Sequence, residues 1–137
     1  MKGRRNLIAA LLAVMPLAAG CGSSSNPITP TTPTTDTLTG TITKNGAVTD
    51  TFAVGGPGVV AATITSLTPL STVQVGFALG TWDGTTCQVV LVNPAGTTGS
   101  LLQANASTKG NYCVHLYDTG NVAADTPVSF TVTVLHP

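Results

Sequence analysis

The end of the chain constrains the fold most. Val128, Phe130, Val132 and Val134 alternate with Ser129, Thr131 and Thr133. Strict period two gives one apolar face and one hydroxyl face, the mark of a half-buried strand rather than a helix. The pattern recurs upstream. Leu38, Gly40 and Ile42 alternate with threonines, and Val48, Asp50, Phe52 and Val54 follow. Val60, Ala62 and Ile64 share a face over Val59–Leu67. Val73, Val75, Phe77 and Leu79 form the clearest inward row, with Thr72, Gln74, Gly76 and Ala78 opposite. Tyr112, Val114 and Leu116 oppose Cys113, His115 and Tyr117. Cys87–Val92 is almost wholly apolar and reads as a strand covered on both faces, while Leu101-Leu102 reads as a short strand.

Turn chemistry separates these runs. Asn45-Gly46 reads as a hairpin turn, because Asn and Gly tolerate positive φ. Gly55-Gly56-Pro57-Gly58, Asp83-Gly84, Asn93-Pro94-Ala95-Gly96 and Asp118-Thr119-Gly120-Asn121 mark further breaks. No segment has helical periodicity. About eight short strands over residues 37–137 argue for an all-β domain, a single antiparallel β-sandwich.

The first 36 residues differ in kind. Lys2, Arg4 and Arg5 precede an uncharged run from Leu7 to Leu17, the layout of an export signal over residues 1–20. Such a run rises only about 16 Å as a helix, short of a hydrocarbon core of roughly 30 Å. Leu17-Ala18-Ala19-Gly20-Cys21 resembles the lipobox of bacterial lipoproteins. The resemblance implies lipidation of Cys21, cleavage before it, and membrane attachment through fatty chains. Gly22, rather than Asp, follows the cysteine. In the Gram-negative sorting pattern this implies the outer membrane, with the domain extracytoplasmic. Residues 21–36, rich in Ser, Pro and Thr, read as a disordered tether without apolar period.

Loss of residues 1–20 would leave Lys44 and Lys109 against five aspartates, a net charge near −3, with no glutamate in the chain. Nothing in that balance attracts nucleic acid. With Cys21 lipidated, Cys87 and Cys113 remain, and an oxidising compartment predicts a disulfide between them. If Tyr112, Val114 and Leu116 face the core, Cys113 faces away, so the bond is expected as an outer-face staple to a neighbouring strand or loop.

Gly110-Asn-Tyr-Cys-Val-His-Leu-Tyr-Asp118 and Ser129-Phe-Thr-Val-Thr-Val-Leu-His-Pro137 resemble strands of the bacterial pre-peptidase C-terminal domain. Leu38–Ile42 and Val73–Leu79 resemble two earlier strands of that family. The resemblance implies a jelly-roll-like sandwich of the kind appended to secreted peptidases, some members resembling carbohydrate- or collagen-binding modules. Here the sandwich follows an anchor and a tether, not a catalytic domain.

Catalytic patterns are missing: there is no Gly-x-Ser-x-Gly and no His-Glu-x-x-His. Trp82, in a turn, either stacks on a sugar or partner or packs into the core. If Cys87 and Cys113 lie on paired strands, Asp83 and Asp118 fall at one end. There they either hold Ca²⁺ or serve as turn formers; no other cofactor is expected. His115 reads as a strand-face histidine. The expected function is a lipid-anchored, non-catalytic envelope module binding a polysaccharide or protein. The alternative is a structural subunit of an envelope complex without a small ligand.

Overall fold

The computed structural model describes residues 32–137. The segments read from sequence as an export signal and tether, with Cys21, lie outside the described residues up to residue 31. Eight strands follow in order: β1 (Thr34–Ile42), β2 (Ala47–Val54), β3 (Gly58–Thr68), β4 (Val75–Trp82), β5 (Cys87–Gly96), β6 (Leu101–Ala106), β7 (Gly110–Tyr117) and β8 (Val128–His136). The described residues contain no helix.

Two four-stranded antiparallel sheets form, β1-β8-β3-β6 and β2-β7-β4-β5. The pairs β1·β8, β2·β7, β3·β6 and β4·β5 are those of one long hairpin folded over on itself. The pairs β3·β8 and β4·β7 then close each sheet. This is the jelly-roll arrangement of a β-sandwich. Alternation explains it. Most strands have one apolar face, and the two sheets bury those faces against each other. Phe77, Leu79, Ile42, Ile64, Leu116 and Val132 are among the largest side chains sealed between them.

Consecutive strands therefore often change sheets, which corrects one expectation. Asn45-Gly46 is a corner between β1 and β2 in opposite sheets, not a hairpin turn. Asn45 does take a positive φ of 56°, and the Gly46 amide donates to the Thr43 carbonyl at 2.8 Å. A second correction concerns the tether. Thr34, Thr35 and Asp36 belong to β1, where they pair with His136, Leu135 and Val134. Asp36 Oδ2 lies 3.1 Å from Nε2 of the buried His136, joining the start of β1 to the end of β8.

A third correction concerns which strand is doubly covered. β5 is an edge strand, with Val89, Val90 and Val92 between 50% and 65% exposed. It runs through Pro94, which an edge tolerates because no inner ladder needs its missing amide. The strand buried on both faces is β4. Its outer-face residues are Gly76, Ala78 and Gly80, opposite Tyr117, His115 and Cys113 of β7. β6 also extends beyond the expected Leu101-Leu102, to Ala106.

One core-facing residue is costly. Asp50, opposite Val114, shares the inward face of β2 with Phe52 and Val54. Its Oδ2 is buried without a hydrogen-bond partner. Desolvation raises its pKa above the ordinary 3.8. A raised folded value means the protonated form is favoured, so its contribution is intact below pH 3.8 and lost as pH rises through the folded value. Asp50→Val is therefore expected to stabilise the domain by about 1 kcal/mol at pH 7. Urea melts should show a smaller gain near pH 3.5; a gain independent of pH would remove the desolvation account.

Candidate functional site

The outer face of the β2-β7-β4-β5 sheet carries a second, smaller layer. The core residues Val114 and Leu116 turn Cys113, His115 and Tyr117 outward. Across from them β4 offers only small residues. The Tyr117 ring lies over Gly76, in the space a side chain would take. At Gly80 the backbone of β5 itself folds over the sheet, with the Val89 Cα 2.9 Å from the position of a Cβ.

That close approach makes the disulfide possible. Cys87 on β5 and Cys113 on β7 are separated by β4. Strands two apart in a sheet stand roughly 9.5 Å apart, beyond the reach of a disulfide. Here the Cα atoms are 5.8 Å apart, because β5 curls across Gly80, and the two cysteines are bonded. The bond lies on the outer face, as the alternation of β7 requires. Folded-over β5 buries Cys113 completely.

Beside this staple is an open trough of about 410 Å³, lined by Trp82, Cys87, Val89, His115, Thr49 and the Thr85-Thr86 turn. Trp82 pairs with Cys87 at the start of β5 and is only half-buried, so it does not belong to the core. His115 is one of the partly buried residues lining the trough. Its Nδ1 is 2.7 Å from Thr49 Oγ1, and its ring stacks on Tyr117 at 5.5 Å. Burial pushes the His115 imidazole below its ordinary 6.5, which favours the neutral ring. No carboxylate, lysine or arginine lines the trough.

Asp83 shapes the rim. Its Oδ1 accepts from the amides of Thr85 and Thr86, at 2.8 and 2.7 Å, and from the Thr85 hydroxyl at 2.9 Å. Oδ2 accepts from the Thr86 hydroxyl and from Gln88 Nε2, both at 2.8 Å. These bonds hold the carboxyl well below the usual range. Asp118 plays a similar part elsewhere. It accepts from the amides of Asn45, Gly120, Asn121 and Val122, which hold its pKa down and organise the loop before β8.

The two aspartates do not meet. Thr81 faces Tyr112 and Gly76 faces Tyr117, so Asp83 and Asp118 leave opposite ends of the β4–β7 pair. Roughly 17 Å of strand separates those ends. The premise for a shared Ca²⁺ site fails because β5 pairs with β4, not β7. Among the described residues no group of three or more His, Cys, Asp or Glu is placed to hold a metal ion. No helix among them is long and apolar enough to cross a membrane.

The sequence singles out Trp82 and misses its partners. His115 and Thr49 join the trough through the β2–β7 register, which sets Thr49 opposite His115. The alternation Gly76-x-Ala78-x-Gly80 was the available signal, because small residues on a non-core face imply that something lies over them. No protein-family model matches this chain, and no curated protein matches it. The two quoted stretches of the pre-peptidase resemblance fall on β7 and β8.

Proposed function

We propose that the protein is a non-catalytic binding module of the bacterial envelope, held by a lipid on Cys21, that takes an uncharged polysaccharide segment in the Trp82 trough. The observation that carries this reading is a half-buried indole beside neutral hydroxyl and imidazole groups in an open channel. A sugar offers an apolar ring face and many hydroxyls. Trp82 supplies the stacking surface, and Thr49, Thr85, Thr86 and His115 supply donors and acceptors. The Asp83 carboxylate at the rim and the negative mature chain disfavour acidic polymers. Support for the anchor comes from the lipobox residues Leu17–Cys21 and their basic and apolar flanks. Two or more acyl chains give durable attachment.

A second reading, docking of a protein subunit, draws on the exposed valines of edge strand β5. One experiment addresses both readings. The full chain is expressed in a bacterial envelope, the mature amino terminus is weighed by mass spectrometry, and binding to neutral glycans is titrated. Acylated Cys21 and a glycan affinity that falls about tenfold in Trp82→Ala, a loss of about 1.4 kcal/mol, are expected. An unmodified residue 21 removes the anchor. Glycan-independent co-purification with one fixed protein would favour the second reading.

A further inference from the structure

The opposite face of the sandwich has a different chemistry. On its centre, β8 presents Ser129, Thr131 and Thr133 outward. Each is flanked on β1 by a threonine, Thr41, Thr39 and Thr37 respectively, and on β3 by a further hydroxyl residue. The result is three rows of hydroxyls across three strands, with no charged or aromatic side chain on the outer face of this sheet. Thr41 Oγ1 and Ser129 Oγ lie 3.2 Å apart, so neighbouring hydroxyls are within bonding reach.

We propose that this face binds the ordered water lattice of an ice surface. Facing residues on neighbouring strands repeat at about 4.5–5.5 Å, and alternate residues along a strand at about 6.6–6.8 Å. Tetrahedral water with O–H···O bonds of about 2.75 Å places second-neighbour oxygens about 4.5 Å apart. The same geometry repeats at about 7.3 Å normal to its puckered layers. The two grids therefore agree to within about a fifth across the strands and about a tenth along them. β-Branching restricts each Thr χ1, so the hydroxyls are held in place before contact. Each hydroxyl both donates and accepts, as a lattice water does. Sheet twist of roughly 20–25° per strand, and a bulge in β3 between Ile64 and Ser66, confine the regular match to β8 and β1. A protein partner would want a buried aromatic or Arg anchor, and a sugar a stacking ring; this face offers neither.

The site is on the other sheet from Trp82, so its fate is separable from that of the trough. The test is partition of the purified full chain into slowly grown ice, with thermal hysteresis as a second readout. Enrichment over a non-binding control protein is expected. Thr133→Lys and the edge variant Thr39→Lys should each lower it about tenfold, a loss of about 1.4 kcal/mol. Trp82→Ala on the other sheet, and Thr85→Lys in the turn that joins its strands β4 and β5, should leave it unchanged. Thermal melts establish that each variant is folded; Thr39, exposed on an edge strand, keeps the test decisive if Thr133→Lys does not fold. Exclusion of the wild type from ice would overturn the proposal. So would full retention in folded Thr39→Lys, or equal loss in Thr85→Lys.

Discussion

Breaking the Cys87–Cys113 bond, by reduction or by the double replacement Cys87→Ala/Cys113→Ala, is expected to cost about 3.5 kcal/mol of stability. In the chain-entropy account, that is the loop-closure term for cysteines 26 residues apart. For a domain of this size the melting temperature should fall by on the order of 15 °C. The bond does more than close a loop. It fastens the curled start of β5 onto β7 across an intervening strand, and Cys87 forms part of the trough wall. Without it, β5 is an edge strand held by β4 alone, and its opening exposes Cys113 and releases Trp82. Trp82 is the only tryptophan, so its fluorescence reports that wall directly. Urea titrations with and without reductant, followed at Trp82 and by far-ultraviolet circular dichroism, give the measurement. The Trp82 signal should shift before the global transition. Full thiol liberation with an unchanged midpoint would contradict this account.

The elements legible in the sequence are those in which one physical rule acts alone. β8 and β4 declare themselves because their apolar and small or polar residues alternate strictly, and period two has one structural meaning. The outer-face position of the disulfide follows from the same parity on β7. What escaped depends on pairing. An unbroken apolar run such as Cys87–Val92 does not reveal whether neighbours cover it, and topology made it an edge. Asn45-Gly46 has hairpin chemistry, yet the inward faces of β1 and β2 belong to different sheets. The same gap misplaced Asp83 beside Asp118 and hid His115, whose place opposite Thr49 is a matter of register between residues 66 apart. Trp82 was legible as a candidate because it is the single tryptophan and stands directly before the Asp83-Gly84 turn. Its surroundings were not.

Two glycines four residues apart on the same face of β4 should respond differently to the same added methyl. Gly80→Ala is expected to cost about 3 kcal/mol and Gly76→Ala about 1 kcal/mol. At Gly80 the new Cβ would run into the Gln88 carbonyl oxygen and the Val89 Cα, both backbone atoms of β5. Backbone cannot step aside without lifting the strand, and lifting it pulls Cys87 away from Cys113. At Gly76 the obstacle is the Tyr117 ring, a side chain on the outer face that is only half-buried. It can swing outward, losing its stack on His115 but no ladder hydrogen bond. The two variants thus separate the disulfide corner from the aromatic cover. Gly80→Ala should also slow formation of the bond during oxidative refolding, measured by thiol trapping, and disturb glycan binding at the trough. Gly76→Ala should leave bond formation at the wild-type rate. Equal destabilisation by the two substitutions would mean that β5 does not fold over Gly80, and the trough beside it would lose its physical basis.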